Sequence, residues 1–218
     1  MGSIAVIDYG MGNLRSVAKA LEHVAPASQV VVTADPDVIL SAGHVVFPGQ
    51  GAAPDCMREI QARGLKEVIR QAASTKPFLG ICMGLQVLFE HSEEGDTACL
   101  GVLPGKVLRF PREAMFDSAG NKLKVPHMGW NEVHQAGPHP MWAGIPDASR
   151  FYFVHSYYVE VGNPAMVAAF TLYPFSFTSV VAANNIFAVQ FHPEKSQAAG
   201  LRLLANFVAW DGTATGRN

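Results

Sequence analysis

Short apolar runs alternate with amphipathic segments through the first part of the chain, and the pattern changes after Cys99. Ser3–Asp8 is β-branched and apolar, as a buried first strand should be, and Leu14, Val17, Leu21 and Val24 follow at helical spacing behind Asn13, a candidate N-cap. Gln29–Thr33 and His44–Phe47 read as further strands, Pro36–Ser41 as a short helix, and Pro54–Ala73 as helix broken at Gly64. Lys76–Gln86 reads as a strand running into a turn and out into a helix that continues to Phe89. From Cys99 to Ala183 the sequence is punctuated by Gly and Pro. Short alternating strands are predicted at Lys106–Phe110, Lys122–Pro126, Asn131–His134, Phe151–Val161, Val167–Leu172 and Thr178–Ala182, a pattern of antiparallel hairpins. A turn at Ala182–Asn185 leads into Ile186–Phe191, and Gln197–Trp210 closes the pattern as an amphipathic helix with apolar Leu201, Leu204, Phe207 and Val208. The expectation is an α/β fold with a mostly parallel central sheet, flanking helices and an added antiparallel β region. One domain is expected over residues 1–210, with a frayed tail at residues 211–218.

Composition narrows the function classes. The 218 residues are 49% hydrophobic and only 16% charged, enough for one sizeable core. A formal net charge of −2 leaves no electrostatic footprint for nucleic acid or an acidic membrane surface. No apolar run approaches the ~18–20 residues that span a bilayer, and the N-terminal residues lack a signal-peptide pattern. Cys56, Cys82 and Cys99 are odd in number and make no CxxC pair, which argues against a disulfide framework or structural zinc and for a reducing, cytoplasmic setting.

Three stretches carry candidate chemistry. Gly80 and Gly84 flank Cys82, and small flanking residues are what a nucleophile elbow requires if a strained turn is to lift one side chain clear. The following helix would add partial positive charge beside the thiol. A buried core cysteine is the other reading of this stretch alone. Pro48-Gly49-Gln50-Gly51-Ala52 ends a strand in a glycine turn without the Lys-Ser/Thr of a P-loop; beside a cysteine elbow it is a candidate oxyanion hole. Gly10-Met11-Gly12 lacks the third glycine of a dinucleotide fingerprint and is read as a tight strand–helix turn. Late in the chain, Ala188–Phe191 ends in His192-Pro193-Glu194. A strand-end histidine with a carboxylate two residues on has the base-and-orienter roles of a nucleophilic triad, and the base need only be adjacent in space.

Gly80–Gln86 together with His192-Pro193-Glu194 resembles the class I (triad) glutamine amidotransferases. More narrowly, Asp8–Leu14 (DYGMGNL), Pro48–Gly51, His127–Asn131 (HMGWN), Phe153–Tyr157 (FVHSY) and His192–Ser196 (HPEKS) resemble the glutaminase subunits of imidazole glycerol phosphate synthase, over essentially the whole chain. The resemblance implies that Cys82 attacks the side-chain amide of L-glutamine, with His192 as base and Glu194 holding the imidazole. It implies an oxyanion hole of backbone N–H groups from Met83 and from Gly49 or Gln50, and glutamine contacts from Gln86, Glu94, Ser156 and Tyr157. It also implies a cyclase partner with a (β/α)₈ barrel, docked near Met128, Trp130, Asn131, Tyr152 and Lys195, which receives the ammonia; no cofactor or metal is implied. Members of that family often carry Val at the position of Gln50. Two other readings stay open: an amidotransferase subunit serving another synthase, and a catalytically silent docking subunit of the same fold.

Overall fold

The computed structural model describes residues 2–111, 113, 115, 116 and 119–213. Five strands form the parallel core of the sheet in the order β2 (Gln29–Thr33), β1 (Ser3–Ile7), β3 (His44–Gly49), β4 (Phe78–Cys82) and β13 (Ile186–Val189). Alternation along these strands feeds two hydrophobic layers. Ile4 and Val6 of β1 face a cluster with α1 (Leu14–Val24) and α6 (Gln197–Ala209), through Val17, Leu21, Leu203, Leu204 and Phe207. Ala5 and Ile7 face the opposite cluster, with α2 (Pro36–Ser41), α3 (Ala53–Ala62) and α4 (Lys66–Thr75) supplying Ile39, Ile60, Ile69 and Ala73. Burial on both faces is why β1, β3, β4 and β13 read as continuous apolar runs, while β2 is a partly exposed edge strand.

Beyond β13 the sheet turns antiparallel through β12 (Ser176–Ala183), β10 (Tyr157–Val161) and β7 (Gly105–Arg109), then the two-residue strands β5 (His91–Ser92) and β6 (Thr97–Ala98). A branch from β12 runs through β11 (Val167–Leu172) to β8 (His127–Gln135) and β9 (Ser149–His155).

Several expected boundaries move, each for a local reason. The helix after Cys82, α5, covers only Met83–Gln86 rather than running to Phe89. Leu88 and Phe89 N–H reach back three residues, to the Leu85 and Gln86 carbonyls, instead of four, which tightens and ends the helix. The carbonyls of Val87, Leu88 and Phe89 accept from Leu100, Val102 and Gly101 N–H. Lys122–Pro126 is not a strand: Lys122 makes an isolated bridge to Phe116, Pro126 has no N–H to give, and β8 starts at His127. Phe151–Val161 divides at Ser156, where the chain leaves β8 as partner and joins β7 and β12. Asn13 stands at the N-cap of α1 without a side-chain capping bond. Of the expected tail, Asp211–Thr213 form a turn in which Thr213 N–H donates to Asp211 Oδ1 at 3.0 Å, and residues 214–218 lie outside the described residues.

Candidate active site

Three neighbouring parallel strands, β3, β4 and β13, end side by side, and the candidate site lies just beyond their carboxyl ends, the usual location in open α/β sheets. Gly49 pairs with Cys82 in the β3–β4 register, and Val189 pairs with Ile81 in the β4–β13 register, so Gly49, Cys82 and Gln190 stand in a row. Cys82 adopts φ 57° and ψ −109°, a left-handed conformation that costs an ordinary residue about 1–3 kcal/mol and that lifts its side chain over the sheet edge. What forces this turn is close packing of α5 on β3: a Cβ on Gly84 would lie 1.8 Å from the Phe47 carbonyl oxygen. A Cβ on Gly49 would lie 2.3 Å from the Tyr9 hydroxyl and 2.8 Å from Met83 Cβ, so the oxyanion-candidate turn is wedged against the elbow. The single turn of α5 leaves little macrodipole to favour a thiolate, contrary to expectation; the nearby charge is that of His192.

A cavity of about 280 Å³ opens here, lined in part by Gln50, Cys82, Met83, Gln86, Glu94 and His192 and closed by Val154–Tyr157. That volume lies near the lower end of the ~300–1,000 Å³ typical of small-molecule sites. His192 Nδ1 donates to Glu194 Oε1 at 2.9 Å, and both side chains are almost fully buried. Burial works against the charged imidazolium. The adjacent Cys82 and Glu194 together outweigh it and raise His192 to about 10. His192 Nε2 is buried and has no hydrogen-bond partner among the described residues. The histidine backbone is anchored: His192 N–H donates to the Tyr152 carbonyl at 2.9 Å, and Ser196 Oγ donates to the His192 carbonyl at 2.6 Å while accepting from Tyr152 N–H at 3.0 Å.

Gln86 Nε2 donates to the Tyr157 carbonyl at 3.2 Å and to Gln190 Oε1 at 2.9 Å, and Gln86 Oε1 is buried without a partner among the described residues. Glu94 Oε2 accepts from Ala53 N–H at 2.8 Å and so caps α3, which has no capping side chain of its own. Gln50 is exposed at the cavity mouth, and its carbonyl accepts from the Cys56 thiol at 3.4 Å; the Tyr9 hydroxyl in turn donates to Cys56 Sγ at 3.7 Å. Desolvation pushes the Cys56 and Cys99 thiols up to about 11.

The structure therefore brings Cys82, His192, Glu194, Gly49, Gln50, Met83, Gln86, Glu94, Ser156 and Tyr157 to one place. The other group lies on a separate surface. Met128 and Trp130 are exposed on the outer face of β8, with Trp130 edge-on to Tyr152 of β9, and Lys195 is exposed after the His192 turn. Asn131 differs from its neighbours and turns inward, donating to the Leu172 carbonyl at 2.9 Å. Sequence reasoning missed Gln190, whose Nε2 donates to Cys82 Sγ at 3.7 Å. Its only signal was a lone amide in the apolar run Ala188–Phe191. His155, a cavity wall residue bonded to His127, was also missed as a separate element.

The family described as glutamine amidotransferase class-I matches residues 5–210. The chain belongs to the class I glutamine amidotransferases. Among curated relatives of this amidotransferase, the Imidazole glycerol phosphate synthase subunit HisH of Thiobacillus denitrificans is 73% identical over 95% of this chain and 91% of the relative. The protein of the same name from Aromatoleum aromaticum is 65% identical over 96% and 99%. Solved structures agree on the fold. A crystal structure of a glutamine amidotransferase aligns with TM-score 0.70 at 17% identity over 95% of this chain and 97% of the other. PurLQS from Thermotoga maritima aligns with TM-score 0.66 at 19% identity over 95% and 98%.

Proposed function

We propose that this chain is the glutaminase subunit of imidazole glycerol phosphate synthase in histidine biosynthesis, an amidotransferase domain over residues 1–210 that acts in the cytoplasm. The observation that carries the catalytic reading is a cysteine on a left-handed elbow beside, in one cavity, an imidazole raised to about 10 and bonded to a buried carboxylate. Cys82 Sγ attacks the carboxamide carbon of L-glutamine. The oxyanion is met by backbone N–H groups of Met83 and of Gly49 or Gln50, beside the elbow; one such donor is worth about 10²–10³ in rate. His192, already charged, gives its Nε2 proton to the departing ammonia, and the pair then activates water to release glutamate from the thioester. Glu194 keeps the Nδ1 proton in place throughout.

Gln86 offers an acceptor, Oε1, to a donor group of glutamine, and Glu94, Ser156 and Tyr157 line the same wall. Ammonia free in water is protonated and lost, so the chemistry needs a capturing partner. The high identity to relatives named as synthase subunits supports a cyclase of (β/α)₈ form as that partner in a heterodimer. The exposed Met128 and Trp130, with Tyr152 and Lys195, are the surface we assign to it, since exposed aromatic and Met side chains favour interfaces. The deciding experiment measures glutamate release with and without purified cyclase and its nucleotide ligand. Stimulation is expected; a rate indifferent to the cyclase would transfer the chain to another synthase, and a null rate with cyclase bound would make it a docking subunit.

A further inference from the structure

Away from the triad, a run of buried polar groups connects β8 to the cavity, and its protons can be located one after another. The Tyr157 carbonyl can only accept, so His155 Nδ1, at 2.8 Å, carries hydrogen. In a neutral ring that leaves His155 Nε2 as an acceptor. It lies 2.9 Å from His127 Nδ1, which must therefore carry hydrogen too. His127 Nε2 is then an acceptor and receives Asn131 Nδ2 at 3.2 Å. The Asn131 amide is oriented independently, because its Nδ2 also donates to the Leu172 carbonyl at 2.9 Å and its Oδ1 accepts from Glu132 N–H at 2.8 Å. The two ends of the chain were fixed separately, and they agree.

Burial keeps both rings neutral, holding His155 at about 3 and His127 at about 4. Stacking on Phe153 at 4.9 Å and on Tyr173 at 3.9 Å fixes the His127 ring plane. The inner end of the run meets the site at one atom. The Tyr157 carbonyl accepts from His155 and also from Gln86 Nε2, whose amide passes on to Gln190 and so to Cys82. Anchoring that carbonyl anchors the amide of Gln86, and with it the direction of Oε1.

We propose that His127 and His155 are positioning residues for the glutamine site: two neutral Nδ1–H imidazoles that hold the Tyr157 carbonyl and, through it, turn Gln86 Oε1 toward the cavity and Gln190 Nε2 onto Cys82. The role rests on the glutaminase reading for its consequence and on hydrogen-bond geometry and burial for its existence. An Nε2–H tautomer at His155 would face the Tyr157 carbonyl with a second acceptor and release it. One at His127 would set two acceptors against each other across the pair and two donors against each other at Asn131.

Long-range ¹⁵N imidazole spectra of the full chain at pH 7 test the tautomers directly; Nδ1–H at both rings is expected, and Nε2–H or imidazolium at either overturns the proposal. His127→Phe keeps the stacked ring and deletes the donor, whereas His127→Asn places a side-chain N–H close to where Nδ1–H stood. With one directed hydrogen bond lost, His127→Phe is expected to shift the Gln86 side-chain amide resonances and raise KM for glutamine about five-fold, with kcat changed less than about two-fold. His127→Asn should return both toward wild type. An unmoved Gln86 amide in His127→Phe, or equal impairment in the two variants, overturns the positioning role. If His127→Phe does not fold, His155→Asn, which keeps a donor for the Tyr157 carbonyl, and His155→Leu, which does not, carry the same contrast. Should the wild-type chain release no glutamate even with cyclase bound, while the tautomers and the Gln86 amide behave as stated, the glutaminase reading fails and the positioning relation stands.

Discussion

The two halves of the sheet build the cavity in different ways. In the parallel half, the backbone sets the nucleophile: Cys82 is held at φ 57° by glycine-tight packing of α5 on β3, and His192 and Glu194 follow the end of β13. From the antiparallel half, the site is shaped by side-chain hydrogen bonds that run from Asn131 through His127 and His155 to the Tyr157 carbonyl, where they meet Gln86 and Gln190. The first kind of construction tolerates no added atom. The second tolerates any replacement that keeps the same donors and acceptors, and fails when one is deleted.

That contrast can be broken or sharpened by substitution. The largest effect is expected for Cys82→Ala, which should lower glutamate release by ~10⁴-fold or more at saturating glutamine while leaving the fold intact by circular dichroism. Gly84→Ala should act on stability instead, since its methyl would sit within 1.8 Å of the Phe47 oxygen. A loss of about 3–5 kcal/mol is expected from denaturant midpoints; a loss under 1 kcal/mol would mean that the elbow can relax and that the parallel half is not rigid as described. Glu194→Gln retains an acceptor for His192 Nδ1 but removes the charge. A drop of about 10²-fold in kcat is expected, along with a fall of His192 from its raised value of about 10, readable by NMR titration.

Acid should act chiefly on the antiparallel half. His127 and His155 are held far below their ordinary value of 6.5, near 4 and 3, and in the unfolded chain they take up protons that the folded chain refuses. The contribution of these two rings is therefore complete above about pH 6.5 and falls as pH drops toward 4, by roughly 3 kcal/mol per ring. His139, also lowered by burial to about 4, adds in the same direction. His192 does not interfere in this window: its raised value gives a contribution complete below pH 6.5 and lost as pH rises toward 10. Urea melts at pH 7 and pH 5 check the sign, and His127→Asn should flatten the slope. The smallest effect is expected for Glu94→Gln, where weakening the carboxylate cap on Ala53 N–H should cost about 1 kcal/mol in stability.

What the sequence disclosed divides along the same line. The strands at Gln29–Thr33 and Val167–Leu172 and the helix at Pro36–Ser41 appear with the expected boundaries, because apolar period and flanking turn residues are local signals. Gly80, Cys82 and Gly84 declared an elbow because backbone constraint leaves glycines in the sequence. The length of α5 was illegible: the stretch after it, Val87–Phe89, is held by residues 100–102, a contact that no local window contains. Gln190 and the His127–His155 pair were hidden for a related reason. A polar residue inside an apolar strand shows its partner only once β4, β9 and β13 are brought together. The inward turn of Asn131 follows from strand alternation with Met128 and Trp130, and a register, not a motif, decides which face is inside.

The Cys56 thiol, protonated up to about pH 11 and engaged with the Gln50 carbonyl, and the equally raised Cys99 have a practical consequence. At neutral pH neither offers a thiolate, and Cys82 alone among the three cysteines borders the cavity. A glutamine-shaped electrophile should therefore load to a stoichiometry of one per chain, even in a protein with three free thiols. The mass shift then counts working sites in any preparation, so turnover can be referred to competent molecules instead of total protein.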